Sequence, residues 1–291
     1  MPQSTELTSV TPDMLRDWEL PTAAGSKYSR GQVVVVGGAA RSPGAALLAG
    51  EAALRVGSGR LTLAVAASVA TGIAIALPEC GVVGLDETDD DHIRGDGIAV
   101  AKPDLADADA VLVGPGLDDP MQSTELVRQV PGLIGRHTVV VLDAFALGIL
   151  TNLRAEIEPL AGRLVLTPNV EEAGRLTDRR VGDLREALAD IATTYGAVVS
   201  CQNLIVASNG DSWSMGTGTV GLATSGSGDI LAGAIAGICA RSATPAQAAV
   251  WGTYLHATAG DTLATRLGPV GFLARELLPE LPVLLDRLRP Q

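Results

Sequence analysis

The stretch Gln32-Val33-Val34-Val35-Val36-Gly37-Gly38 decides the fold class. Four consecutive valines with no polar alternation predict a strand buried on both faces, and the glycine pair ends it. Five residues later Pro43-Gly44 opens an Ala/Leu-rich run to about Val56, with proline at a helix start where its missing N–H costs nothing. Gly57-Ser58-Gly59 breaks that helix, and Arg60-Leu61-Thr62-Leu63-Ala64 reads as the next strand. A strand, a helix and a strand of these lengths form a right-handed parallel crossover.

Working outward, the pattern repeats. Strands are predicted at Ala110–Val113, Val139–Leu142 and Arg163–Leu166, each followed by a turn and a helical stretch. Shorter strands follow near Ala197–Ser200, Leu204–Ala207 and Ser212–Met215, with Asn209-Gly210 as a hairpin turn. Helices dominate from Asp229 to Arg287, with Pro245 at a helix start. Residues 1–26 read as a polar arm with a short helix near Pro12–Trp18, and the acidic segment Asp86–Gly97 as an exposed loop. No linker, repeat or low-complexity tract divides the rest. The expectation is one α/β domain over residues 27–291, with three α/β/α layers on a mostly parallel sheet.

Composition agrees. Among 291 residues 47% are hydrophobic but only 3% aromatic, so Ala, Val, Leu and Ile must build the core. The net charge of −12 speaks against a nucleic-acid groove, which needs clustered cations. A single nucleotide is still allowed, because backbone N–H groups at a helix start hold phosphate without many basic side chains. Three scattered cysteines, with no signal-peptide pattern and no long apolar span, predict a cytoplasmic chain that does not enter a membrane.

In a parallel sheet, ligands gather beyond the carboxyl ends of the strands. Gly37-Gly38, Gly114-Pro115-Gly116, Asp143 and Thr167-Pro168-Asn169 all fall there. The strongest segment is Thr224-Ser225-Gly226-Ser227-Gly228-Asp229, which leads into Ile230–Gly237. Its small residues admit a phosphate to backbone N–H groups at a positive helix end. Asp229 in the first turn either orients and deprotonates a substrate hydroxyl or only caps the helix. Asn169-Val170-Glu171-Glu172 likewise reads two ways: as a capping box, or as Glu172 holding a water on a phosphate-bound Mg²⁺. His92, His137 and His256 make no metal-ligand spacing, and His256 reads as a packed helix residue. Trp213 and Trp251 read as core or pocket wall.

Together these segments resemble the ribokinase-like ADP- or ATP-dependent NAD(P)H-hydrate dehydratases, from about Lys27 to Leu281. The resemblance is carried by Val33–Gly38 with Pro43–Gly59, Val113-Gly114-Pro115-Gly116-Leu117, Leu142-Asp143-Ala144, Leu166–Leu176 and Gly221–Gly237. It implies repair of hydrated nicotinamide cofactors by phosphorylation of the ring hydroxyl, with ADP or ATP as donor and Mg²⁺ as cofactor. Asp229 matches the catalytic aspartate and a substrate contact. Ala45, Gly116 and Asn169, Val170, Glu171, Glu172, Ala173, Gly174 and Arg175 match the segments that bind the substrate. Cys201, Gln202, Asn203, Leu204 and Ile205, with Gly226, Ser227 and Gly228, take the nucleotide's place. A homo-oligomer, a tetramer, is implied, without the epimerase domain that some bacterial relatives carry fused. The chain departs from the family pattern at Asp143-Ala144-Phe145-Ala146-Leu147, where Phe145 replaces an Asp. It departs again at Cys201-Gln202, in place of Lys-Gly, and at Thr219-Val220, in place of Asn-Pro. A nucleotide-binding paralogue with weakened catalysis, or a kinase of a small vitamin precursor, would share the same loop.

Overall fold

The computed structural model describes residues 7–22 and 25–289. The first six residues of the expected arm, its residues 23–24 and the last two of the expected domain lie outside them. The strands are β1 (Leu7–Val10), β2 (Gln32–Val36), β3 (Arg60–Ala66), β4 (Gly81–Leu85), β5 (Ala110–Val113), β6 (Val139–Leu142), β7 (Leu164–Leu166), β8 (Ala197–Cys201), β9 (Leu204–Ala207) and β10 (Ser212–Met215). They form one ten-stranded sheet in the order β1-β10-β9-β8-β7-β6-β5-β2-β3-β4. Every neighbouring pair is parallel except β8/β9 and β9/β10.

Among the described residues twelve α-helices accompany the sheet: α1 (Pro12–Asp17), α2 (Pro43–Arg55), α3 (Ala70–Ala76), α4 (Lys102–Asp107), α5 (Pro120–Leu133), α6 (Phe145–Gly148), α7 (Arg154–Ile157), α8 (Val170–Leu176), α9 (Leu184–Tyr195), α10 (Ser227–Ala240), α11 (Pro245–Leu267) and α12 (Glu280–Arg287). Because successive strand residues face opposite sides, β2 feeds two cores at once. Val33 and Val35 join a core with α2, α10 and α11, while Val34 and Val36 join one with α5, α8 and α9. This is the expected three-layer α/β/α architecture.

Few aromatics and many alanines make sense in the first core. Gly233 of α10 lies against the backbone of Ala49 in α2, where an added Cβ would come within 2.0 Å of the Ala49 carbonyl oxygen. Two helices that close leave room only for small side chains. The first turn of α10 lies at the carboxyl end of the strands, where Asp229 comes near Asp143.

Two strands escape a reading by pattern. β4 carries two glycines and is mostly half-exposed, so it shows no buried run. β1 is exposed at three of four residues and becomes a strand by pairing in parallel with β10. The segment read as an arm therefore completes a sheet edge, and Trp18 stacks on Trp213 with ring centroids 5.9 Å apart. Trp251 and Gln247 donate to the Trp18 carbonyl oxygen. The acidic loop after β4 is mostly exposed, although Ile93 and Gly95 within it are buried.

Candidate active site

The sheet order places a crevice. From β2 the chain moves outward to β3 and β4, then returns to lay β5 on the other side of β2. Connections leave in opposite directions from β2 and β5, and such a switch point is where open parallel sheets place a ligand crevice. Backbone bonds join the two loops across it, from Gly38 N to Pro115 O at 2.8 Å and from Ala39 N to Gly116 O at 2.9 Å. Gly116 has φ +72° and would place a Cβ 2.4 Å from the Ser42 carbonyl oxygen, so no side chain fits. That missing side chain lies 3.2 Å from the Ala45 Cβ. Ala45 and Gly116, seventy-odd residues apart in sequence, are thus one wall.

Next along the same edge, Asp143 follows β6 and is buried. Thr167, after β7, donates its hydroxyl to Asp143 Oδ1 at 2.7 Å. Burial pushes the Asp143 carboxyl up to about 8, and the negative charges of Asp229 and Glu172 push it the same way. Three acidic side chains from three loops therefore share one field. Ala144 beside them has φ +50°, which alanine adopts at a cost of about 1–3 kcal/mol. Phe145 packs against the second core.

The helix start at Asn169 is a full capping box. Glu172 N donates to Asn169 Oδ1 at 2.9 Å, and Asn169 N donates to Glu172 Oε2 at 2.8 Å. Burial raises the Glu172 carboxyl above its ordinary range. Both readings of this motif survive, since the box occupies only one of the two carboxylate oxygens. The rest of the expected substrate segment divides. Ala173 is fully buried in the second core, so its side chain faces away from the crevice. Glu171 and Arg175 stand on the exposed face, 3.8 Å apart.

The glycine loop ends at Gly226, whose φ of +88° makes it a left-handed N-cap with no side-chain capping bond. Gly228 faces open space. Ser227 turns inward, its Oγ 2.8 Å from Nε2 of buried His256 on α11. Burial pushes that imidazole down to about 4, so it is neutral at neutral pH, and its tautomer sets which of the two groups donates. Asp229 is half-buried, and among the described residues nothing donates a hydrogen bond to it. Burial pushes its carboxyl up to about 6. A capping role is therefore not what Asp229 performs.

The expected nucleotide segment 201–205 divides into buried and exposed positions. Cys201, Leu204 and Ile205 are buried, and burial pushes the Cys201 thiol up to about 12. Their side chains belong to the cores. What reaches the surface is the Gln202-Asn203 turn, with Gln202 at φ +55° and Asn203 tied to the Met215 carbonyl oxygen at 3.0 Å. The side chains open to solvent here are Gln202 and Asn203. Sequence reasoning also passed over the partnership of His256 with Ser227 and the shared field around Asp143. No local signal marks either one.

A phosphate-sized helix start, an idle carboxylate beside it and a crevice at the switch point define an α/β enzyme of the ribokinase-like class. A solved ribokinase-like superfamily protein from Enterococcus faecalis shares that fold, with a TM-score of 0.83 at 23% identity over 97% of this chain and 96% of that one. Residues 33–283 match the family model described as NAD(P)H-hydrate dehydratase, and the chain belongs to that family. It is 43% identical to the ADP-dependent (S)-NAD(P)H-hydrate dehydratase of Xanthomonas campestris pv. campestris over 288 residues, 96% of each chain. The ADP/ATP-dependent NAD(P)H-hydrate dehydratase of Bacillus subtilis, co-crystallized with ATP/Mg²⁺, superposes with a TM-score of 0.79 at 27% identity, covering 97% of this chain and 99% of that one.

Proposed function

We propose that the chain is a lyase that restores NADH or NADPH from its (S)-hydrate, using ADP or ATP. The observation that carries the reading is Asp229, an unbonded, half-buried carboxylate in the first turn of α10 behind Gly228. A carboxylate that neither caps nor pairs is available to a substrate hydroxyl. The hydrated ring lies against the wall that Ala45 and Gly116 form. Its hydroxyl donates to Asp229, whose raised pKa suits a base working near neutral pH.

The hydroxyl oxygen attacks the terminal phosphorus of the nucleotide, and the bond to the departing nucleotide oxygen breaks. Gly228 and the start of α10 stabilise the transferred charge. The ring carbon then carries a phosphate ester in place of a hydroxyl. The ring nitrogen's lone pair expels phosphate, and loss of a proton from the adjacent carbon restores the double bond. Ser227 cannot swing into the phosphate site while His256 holds it, so the loop meets the nucleotide with backbone N–H groups.

The donor chemistry fits Mg²⁺, a hard cation that keeps several waters and takes few carboxylates. Glu172 has one oxygen outside its capping box to hold such a water, next to the loop. Mg²⁺ would neutralise phosphate charge. Among the described residues, no group of three or more His, Cys, Asp and Glu is placed to hold a metal by itself, which suits an ion delivered with the nucleotide. Residues 27–291 form the catalytic unit of this reading. A homo-oligomer, a tetramer, and a cytoplasmic place of work go with it, in keeping with three unpaired cysteines.

The test is recovery of dihydronicotinamide near-ultraviolet absorbance from purified hydrates of NADH and NADPH, with ADP or ATP and Mg²⁺. Nucleotide-dependent recovery is expected and identifies the donor. Nucleotide binding without recovery would instead mark a weakened paralogue or a kinase of another small substrate.

A further inference from the structure

At the opposite end of α10 lies a cavity of about 610 Å³ that the proposed reaction does not use. It sits where β2 and β3 begin, under the ends of α2 and α10. Asp229 and Arg241 are twelve residues apart, which along a helix is roughly 18 Å. Four arginines line the cavity, Arg30, Arg55, Arg241 and Arg289, against one carboxylate, Glu19. That is a lining charge of +3 on a chain whose net charge is −12.

These cations are under-neutralised. Arg55 is held by Glu51 at 3.0 Å. Arg289 is 3.5 Å from Asp286 and largely exposed. Among the described residues the Arg30 side chain makes no ion pair or hydrogen bond. Arg241 donates from Nη1 to the Val56 carbonyl oxygen at 2.7 Å and from Nη2 to the Pro21 carbonyl oxygen at 3.3 Å. The first of these bonds caps the end of α2, yet the Arg241 Nε is buried with no partner. Burial lowers the Arg241 pKa, and Arg289 and Arg30 lower it further, so the three guanidiniums repel one another across this space. The remaining wall is apolar, with Val56, Trp251, Leu285 and Leu288.

We propose that this cavity is a second binding site, for a small phosphorylated anion carrying two or more negative charges. Guanidinium forks match phosphate oxygens bidentately, and converging arginines reward a polyanion over a monoanion. The apolar wall accommodates an organic portion. The cavity volume is that of an ordinary metabolite site.

The test is calorimetric titration of inorganic pyrophosphate into the full chain at low salt, for wild type and for Arg30→Gln/Arg289→Gln. These two side chains carry no packing role, so the variant is expected to melt with wild type and to keep its basal turnover. Wild type is expected to bind pyrophosphate, and the double variant at least tenfold more weakly. Replacing Arg241 by Lys is expected to weaken binding too, since an ammonium cannot reproduce the fork. Absence of pyrophosphate binding to wild type would overturn the proposal. So would equal affinity in the double variant, which would put the anion at the glycine loop instead.

Discussion

The two ends of helix α10 are built on opposite plans. At its start, Gly226 and Gly228 expose backbone N–H groups, and the nearest charged side chain, Asp229, is held without a partner. At its end, Arg241 uses two of its nitrogens on carbonyl oxygens, one of them at the end of α2. The first arrangement leaves a helix's positive end open to a ligand, and the second covers negative ends with a cation. Burial acts on both side chains, raising Asp229 to about 6 and lowering Arg241. Between them Gly233 is wedged against α2, so the two ends belong to one rigid body. Arg241 uses two nitrogens on structure and keeps Nε without a partner, whereas Asp229 has no partner at all among the described residues.

The sharpest way to break this contrast is Asp229→Asn. Turnover is expected to fall by about 10²–10⁴-fold while nucleotide still binds. Because the folded pKa is raised from 3.8 to about 6, the ionised carboxylate costs stability above that pH. The variant should therefore melt no lower than wild type at neutral pH. A melt that drops along with turnover would make Asp229 structural. In the wild type, kcat/KM is expected to fall as pH drops through about 6, as the base takes up its proton.

Gly233→Ala tests the rigid middle. Alanine favours a helix over glycine by about 1 kcal/mol, but its Cβ would meet the Ala49 carbonyl oxygen. A net loss of about 1–3 kcal/mol in urea unfolding is expected. A gain would mean α2 and α10 can separate freely.

Ser227→Ala removes the side-chain partner of buried His256 and should cost about 1–3 kcal/mol. The nucleotide KM is expected to rise, with kcat changed far less than in Asp229→Asn. Unchanged stability and KM would remove His256 from the loop's support.

The smallest effect is expected at Glu172→Gln. Glutamine keeps the capping geometry, so melting should barely move, while the Mg²⁺ requirement rises. Glu172→Ala should add a stability loss of about 0.5–2 kcal/mol. If Gln and Ala behave alike in melting and neither changes Mg²⁺ dependence, Glu172 is neither a cap nor an ion holder. Asp143 adds a pH signature of its own. Its folded pKa is raised from 3.8 to about 8, so stability falls as pH rises from 3.8 and the loss is complete above about 8. Asp143→Asn is expected to flatten that decline in a melt-versus-pH series.

Much of the fold was legible because its signals are local. Val33–Val36 announce a strand buried on both faces within five residues, and all four are fully buried. The start of α10 and the Asn169–Glu172 box are likewise set by neighbours within one helical turn. Where the reading slipped, the deciding neighbour was distant. β1 has no strand pattern and takes its form from β10 some two hundred residues on. The segment around Cys201 resembled a binding strand, but only packing shows which of its side chains turn inward.

The sequence alone thus determined the parallel α/β frame, the glycine-rich helix start and Asp229 within it, since each depends on backbone chemistry a few residues long. Tertiary structure alone decided that Asp143, Glu172 and Asp229 share a field, that His256 holds Ser227, and that four arginines converge at the far end of α10. Electrostatics and hydrogen bonding act through space, and only the folded chain brings such residues within reach.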